Sequence, residues 1–249
     1  MRKIVLIIAV VTLTIFGFMF YQYHEQKKEV GQFEIYQEVL NDKSAKIYEQ
    51  ATDWSKPISI DTHDARLEPE FQTMADFMLK MMLQNAELRN TYLRELKEVG
   101  WDQFLNIQRL DKDRQQNYLD TETMLEQVQM TMDLYQQNLD EHKKEIKGQI
   151  HDLPIKARFR RYLNEALVKN NVIDDNQALF ELEKARFNRA KQLFELLKNN
   201  TWISKNNMFM FHDQKVVTAF NHLYKEIAIQ DKQMNQISKS NRKALEQAL

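Results

Sequence analysis

Apolar side chains recur every three or four positions along most of the chain after residue 24, a spacing typical of amphipathic helices. The pattern predicts helices over residues 25–53 and 69–99. Between them, residues 55–69 contain two of the three prolines and predict a turn or linker. From residue 104 to residue 147 the alternation continues without glycine or proline. It predicts one helix of about 43 residues and about 65 Å, although polar positions at 111–121 also suit a kink.

The second half of the chain continues the helical pattern. Pro154 suits the first turn of a further helix. Residues 170–176 predict a turn, and the helix after them has two apolar rows, so we expect it to be buried between two neighbours. A last helix begins at about Asp213. The predicted fold class is all-α, an elongated bundle of long helices with one short β-hairpin near residues 202–211.

The hairpin is predicted from two short apolar runs, Trp202–Ile203 and Met208–Phe211, that flank a Lys-Asn-Asn turn. Asparagine tolerates the positive φ angles that tight hairpin turns require. The segment is the one part of the chain that predicts strand.

The hairpin and the helix after it also carry a resemblance to a known family. Trp202, the Asn206–Asn207 turn and Phe211, followed by Phe220, Asn221 and Leu223, resemble the C-terminal region of a family of enterobacterial envelope proteins without an established activity. Its members are mostly helical and membrane-attached. The resemblance covers about 22 of the 249 residues and implies location and fold. Members attach through a lipid-modified cysteine, which this chain lacks, so its anchoring differs from theirs.

Residues 4–24 form an uncharged, mostly apolar run of about 21 residues, which spans about 31 Å as a helix. Its end is rich in Phe and Tyr, which favour the headgroup level of a bilayer, and it offers no Ala-x-Ala cleavage site. We therefore predict a retained transmembrane signal anchor. A cleaved leader or a buried core helix is the alternative.

Arg2 and Lys3 precede this run and favour a cytoplasmic N-terminus, although Lys27 and Lys28 follow it. The predicted organisation is a cytoplasmic tip at residues 1–3, the anchor at 4–24 and a periplasmic helical domain at 25–249. The predicted location is the bacterial inner membrane.

Composition limits the classes of partner and chemistry. The 35 basic and 36 acidic residues nearly cancel, so no global field attracts nucleic acid, and we expect no nucleic-acid partner. Without cysteine there is no thiol nucleophile or disulfide. The chain also lacks a pair of histidines at a spacing of four, a Gly-x-Ser-x-Gly elbow and a glycine-rich phosphate loop. We expect no catalytic, cofactor or metal site and no enzyme, with a dispersed carboxylate site as the alternative.

One short cluster resembles a site. A histidine stands between carboxylates in Asp61-Thr62-His63-Asp64, which could bind a metal or act as a base. Because the cluster follows a proline in a predicted turn, we interpret Asp61, His63 and Asp64 as capping residues of that turn.

Two groups of residues are candidates for partner binding. The first lies on the seam, the apolar stripe of the predicted 104–147 helix, where a histidine interrupts apolar residues: Tyr135, Leu139, His142 and Ile146. The second is basic and follows in the segment 143–161, which has seven basic and two acidic residues: Lys156, Arg158, Arg160 and Arg161. Asn85 interrupts the 69–99 stripe as His142 interrupts the seam, and such polar positions can fix register.

These features favour a membrane-anchored periplasmic scaffold or interaction protein of the bacterial cell envelope. The expected partners are other envelope membrane proteins and the bilayer, which residues 4–24 would contact, and a homo-oligomer is possible. Cell division, cell-wall synthesis or envelope assembly would suit such a part. The alternative is a helical sensor or ligand-binding module, which would need a cavity with convergent polar groups.

Overall fold

The structure is a computed structural model that describes the backbone of residues 2–169 and 172–248, and side chains at 27–167, 177–237 and 239. It is mostly helical, with 79% of residues in helices and one two-stranded antiparallel hairpin, which confirms the predicted class. The described elements are α1 (Arg2–Ala51), α2 (Pro69–Glu98), α3 (Ile107–Asp113), α4 (Leu119–Asp152), α5 (Ala157–Lys169), α6 (Val172–Asn199), β1 (Trp202–Lys205), β2 (Met208–Phe211) and α7 (Gln214–Ala248).

The predicted anchor occupies the first half of α1. Within the part of the chain that the structure describes, no helix combines the length and the apolar character needed to cross a membrane. The predicted span at residues 4–24 falls among the residues whose side chains lie outside that part.

The connection between α1 and α2 is an ordered segment that runs back along α1. Lys43 Nζ donates to the carbonyls of Asp61 and His63 at 2.5 and 2.9 Å. Gln32 Oε1 accepts from the backbone N–H of Glu68 at 2.9 Å. Because the chain has returned to the level of Gln32 before α2 begins, α2 runs parallel to α1. The predicted linker therefore positions the two helices.

Helix α4 returns antiparallel to α2, and the apolar side chains form two main cores along this pair. The first is formed by α1, the N-terminal part of α2, the C-terminal end of α4, and α5. It includes Tyr36, Phe71, Met78, Ile150 and Leu163. The second is formed by the C-terminal end of α2, α3, the N-terminal part of α4, α6, the hairpin and α7. It includes Tyr92, Leu110, Tyr135, Phe187 and Trp202.

The predicted helix over residues 104–147 is wrong in its first third, because the chain breaks between α3 and α4. The buried Asp113 carboxylate accepts hydrogen bonds from the backbone N–H groups of Asp120 and Thr121 at 3.0 and 2.9 Å. It thereby caps the start of α4. Asn117 and Tyr118 have φ angles of 56° and 63°, which a continuous helix cannot contain. Helix α4 then runs through Gly148 to Asp152.

Smaller differences occur at the ends of α5 and α6. Leu153 is extended and α5 begins at Ala157, three residues after Pro154. Helix α6 begins at Val172, inside the predicted 170–176 turn, and residues 170–171 lie outside the described part.

The hairpin is confirmed. Asn206 and Asn207 have φ angles of 53° and 58°, and Trp202 pairs with Phe211. The positive φ angles at both turn residues are those of a tight two-residue hairpin turn.

Helix α6 packs between α4 and α7, as its two apolar rows predicted. Four polar contacts join it to α4 at intervals of seven residues in antiparallel register: Lys143 with Gln177, Gln136 with Lys184, Gln129 with Lys191, and Glu122 with Lys198. Phe180, Phe187 and Phe194 follow the same interval on the buried side of α6. This is the repeat of a coiled-coil interface.

Candidate interaction sites

The four seam residues predicted to bind a partner lie inside this chain. Tyr135, Leu139, His142 and Ile146 are 3%, 3%, 8% and 2% exposed. Tyr135 stacks on Tyr92 of α2 with ring centroids 4.4 Å apart. The seam therefore joins α4 to the rest of the bundle, and it leaves no exposed strip at these positions.

Three of the four basic residues hold the start of α5 in place. Lys156 Nζ lies 3.0 Å from Glu29 and 3.1 Å from Glu70, and the hydrogen bond that it donates to Glu29 is the main reason that the pKa of Lys156 is raised. Arg158 also pairs with Glu29. Arg160 donates to the Leu153 and Ile155 carbonyls at 3.1 and 2.7 Å.

Arg161 is exposed on α5. Lys156 and Arg158 are thus ion-paired, whereas Arg160 binds backbone carbonyls and Arg161 has no ion pair among the described residues.

The Asp61–Asp64 segment leads into a turn at residues 65–66, and the side chains of Asp61 and Asp64 accept backbone hydrogen bonds there. Asp61 Oδ1 accepts from the His63 backbone N–H at 2.9 Å. Asp64 accepts from Arg66 through both backbone and guanidinium, and these hydrogen bonds lower the pKa of Asp64 to about 2. Among the described residues, no group of three or more His, Asp or Glu side chains could hold a metal ion.

A large open groove lies between the end of α2 and the α6–α7 pair. Its volume is about 630 Å³, and it reaches the second core. We call it the aromatic groove, because its main lining residues are Trp54, Leu96, Trp101, Phe187, Tyr224 and Met234. Most of these side chains are partly exposed.

Helix α7 explains why the groove is open. Among its described side chains, Ile227 alone is buried, although the helix extends from Gln214 to Ala248. Phe220 packs on Phe209 and Phe211 of the hairpin, at centroid distances of 5.3 and 5.2 Å. These contacts hold the start of α7 against the hairpin and leave a space between Tyr224 and the end of α2.

Charged groups lie at both edges of the aromatic groove. Lys97 Nζ is 5.1 Å from the centroid of Trp54. Arg186 lies 5.9 Å from the centroid of Trp101 and forms a 2.7 Å ion pair with Asp231 of α7. Both signs of charge therefore border an apolar floor.

A half-buried ion pair lies beside this floor. Arg89 of α2 binds Glu183 of α6 through two hydrogen bonds, of which Nη1 to Oε2 measures 2.8 Å. Burial is the largest influence on the pKa of Arg89 and lowers it, but the hydrogen bond and charge of Glu183 together raise it above its ordinary value. Burial, followed by the Glu183 charge, raises the pKa of Tyr92. The pair fixes α2 against α6 at the groove.

The outer face of the hairpin is a second apolar surface that the sequence did not indicate. Ile203, Met208 and Met210 are exposed, whereas Trp202 is fully buried. Trp202 Nε1 donates to the Tyr118 hydroxyl at 2.9 Å, which docks the inner face on the end of the bundle. Lys205 is the one charged residue of the two strands, and the other residues are apolar or small, so the alternation that marks a half-buried strand is weak here.

Comparison with known proteins gives no relative: no protein-family model matches the chain, and searches of curated proteins and of solved structures find no match.

Proposed function

We propose that this chain is a single-pass membrane-anchored scaffold or interaction protein of the bacterial cell envelope. Residues 4–24 span the inner membrane as the anchor, and residues 25–249 form an elongated periplasmic bundle. Two features support this arrangement. The backbone of α1 is helical from Arg2 to Ala51, so a span in its first half is joined directly to the bundle. Helices α2 and α4, of 30 and 34 residues, lie side by side over about 45 and about 51 Å.

The observation that carries the proposal is the aromatic groove. Tyr224 is 54% exposed on one wall, and Trp101 lies on the other. A groove between helices with aromatic walls accepts the apolar stripe of an amphipathic helix, and a few buried aromatic anchors dominate such binding. Lys97 and Asp231 at the edges suit a partner helix with both signs of charge beside its stripe. The proposed partner is a helix of another envelope membrane protein.

The process that this scaffold serves is proposed by analogy from its architecture: cell division, cell-wall synthesis or envelope assembly. The long anchored bundle would hold its groove at a distance from the bilayer.

The test compares two positions on α7 that have similar exposure. Tyr224 lines the groove, and Ile229, 47% exposed on the same helix, does not. We expect Tyr224→Ala to remove proteins that copurify with the full chain in mild detergent, and Ile229→Ala to retain them. Photo-crosslinkers placed at the two positions should capture a membrane protein from 224 only. Equal loss of partners in both variants, or equal capture, would refute docking in this groove.

The same groove supports a second candidate function, a membrane-anchored sensor or ligand-binding module. A volume of about 630 Å³ lies in the range of small-molecule sites, and Glu183, Arg186 and Asp231 converge on it. Native mass spectrometry of the purified protein separates the candidates. A small molecule released by the wild type and absent from Tyr224→Ala favours the ligand-binding module, whereas a copurified protein favours the scaffold.

A further inference from the structure

The two walls of the aromatic groove differ in shape and lie side by side on one surface. The α2 wall is formed by the end of α2 and contains Trp54, Lys97 and Trp101. The α7 wall contains Asp231 and Tyr224, and 54% of Tyr224 is exposed. A projecting aromatic ring therefore stands next to an open space lined by aromatic rings. A two-fold interface between identical chains needs such a surface, because each copy contributes the same patch.

The two walls also carry opposite charges at one height along the bundle. Phe187 of α6 contacts the Trp101 ring with centroids 5.6 Å apart, and the neighbouring Arg186 pairs with Asp231 at 2.7 Å. Lys97 precedes Trp101 by four residues, which is about one turn. Lys97 on the α2 wall and Asp231 on the α7 wall therefore lie within about one turn of the same height.

Both of these charges have room for a partner from outside the chain. Lys97 Nζ lies over the Trp54 ring and has no ion pair in the described part of the chain. Asp231 pairs with Arg186, but 44% of the Asp231 side chain is exposed. An ammonium group of another chain can therefore approach Asp231, and a carboxylate can approach Lys97.

The proposed membrane anchor limits how two copies can meet. Two chains that span one bilayer in the same direction have parallel bundles, so a two-fold axis between them is parallel to the bundles. Rotation about that axis keeps every residue at its own height and brings the α7 wall of each copy opposite the α2 wall of the other. Lys97 of each copy then faces Asp231 of the second copy, and Tyr224 faces the open groove.

We propose that a second copy of this chain covers the aromatic groove in a parallel two-fold dimer when no partner helix is bound. Tyr224 of each copy enters the groove of the other, and two ion pairs between Lys97 and Asp231 join the copies. A second copy fits better than an unrelated chain, because one patch supplies both halves of the contact. The inference rests on the proposed anchor and groove, and it adds regulation: a partner helix must replace the second copy in order to bind.

Charge reversal followed by mixing tests the dimer. Lys97→Glu places a glutamate opposite Asp231 at both contacts, and Asp231→Lys places a lysine opposite Lys97 at both, so each variant should repel its own copies. A mixture of the two variants in equal amounts restores opposite charges at both contacts. We expect each variant alone to self-associate about tenfold to a hundredfold more weakly than the wild type, because two attractions become two repulsions. The mixture should regain most of this loss.

The measurement uses the absence of cysteine. Glu165→Cys on α5, an exposed position outside the groove, gives the full chain a single labelling site. Energy transfer between donor-labelled and acceptor-labelled chains in nonionic detergent gives the dissociation constant of the dimer. The matched controls reverse exposed charges of α4 outside the groove: Lys144→Glu and Asp133→Lys. They should change the constant less than about twofold, whether alone or mixed.

Recovery in the mixture supports the dimer, because a folding defect in either variant would persist after mixing. The proposal is overturned if the wild type shows no concentration-dependent energy transfer up to about 100 μM, or if the mixture associates no better than either variant alone. A monomeric wild type that still copurifies a different membrane protein overturns the dimer and leaves the partner-helix proposal in place. Recovery in the mixture, together with copurified proteins that survive Tyr224→Ala, supports the dimer and refutes only the partner helix.

Discussion

Removing one side of the Arg89–Glu183 pair should be among the more costly single changes in the bundle. The two side chains are 21% and 15% exposed, and the two guanidinium nitrogens each contact one carboxylate oxygen. Loss of one partner leaves a largely desolvated charge without its counterion, which typically costs 3–5 kcal/mol in a fully buried pair. Because this pair retains some exposure, we expect Arg89→Met or Glu183→Met to lower the free energy of unfolding by about 2–3 kcal/mol.

The double variant is the sharper measurement. Arg89→Met/Glu183→Met removes both charges and keeps apolar volume beside the Tyr92 and Tyr135 rings, so it should cost less than the sum of the single changes by at least about 2 kcal/mol. Urea unfolding of the full chain in detergent, followed by circular dichroism, gives the four free energies of the cycle. Lys198 and Glu122, paired on the surface of the α4–α6 interface, are the control, with an expected coupling of about 0.2–1 kcal/mol. Additive effects at Arg89 and Glu183, or single losses below about 1 kcal/mol, would refute the reasoning.

Four further predictions follow from the anchor, the turn and the seam. The mass of the membrane-bound chain should include residues 1–26, and a reporter fused at Leu249 should be active outside the cytoplasm; a mature N-terminus near Tyr21 would contradict the anchor. Replacing Asp61, His63 and Asp64, in the connection between α1 and α2, by Asn, Gln and Asn should lower the free energy of urea unfolding by about 1–2 kcal/mol and leave cellular function intact. A metal that the wild type binds and this variant loses would contradict the prediction. Truncation of the buried seam residues Tyr135, Leu139 and Ile146 to Ala should cost about 2–4 kcal/mol of folding free energy per site and unfold the domain. Thermal melts measure this, and a triple variant that stays folded would contradict a core role for these residues. Burial lowers the pKa of folded His142 from its ordinary 6.5, so the contribution of the neutral ring to stability is complete above pH 6.5 and is lost as the pH falls below that value. Below pH 6.5 the unfolding free energy of His142→Gln should therefore depend less on pH than that of the wild type. Equal pH profiles would contradict a buried, neutral His142.

The helical class and the hairpin could be predicted from the sequence because both depend on neighbours along the chain. The Phe71 to Tyr92 stripe of α2 repeats every three or four residues, which places it on one side of a helix whatever lies opposite. Asn206 and Asn207 adopt positive φ angles at low cost, so two adjacent asparagines between apolar runs define a tight turn locally.

The break before α4 could not be predicted in the same way. Asp111, Arg114 and Tyr118 occur at helical spacing, and the seam therefore continues through them in sequence. In the structure, Asp113 folds back to cap residues 120 and 121, and Trp202 bonds Tyr118 from a hairpin more than eighty residues away. Contacts of this kind offset the cost of the left-handed backbone at Tyr118, and no local pattern records them.

The sequence by itself determined which faces of the helices are apolar, and it identified His142 as a polar interruption of the seam. Only the tertiary structure decided that α2 packs against the seam. Tyr135 and Leu139 are therefore buried in the core, whereas Tyr224 and Trp101 line the open aromatic groove. The same packing brings Glu95 of α2 beside the Glu141–Glu145 face of α4 from more than forty residues away. The physical reason is that helical periodicity specifies the direction of each side chain about its own axis, whereas the partner of each face depends on how the helices pack.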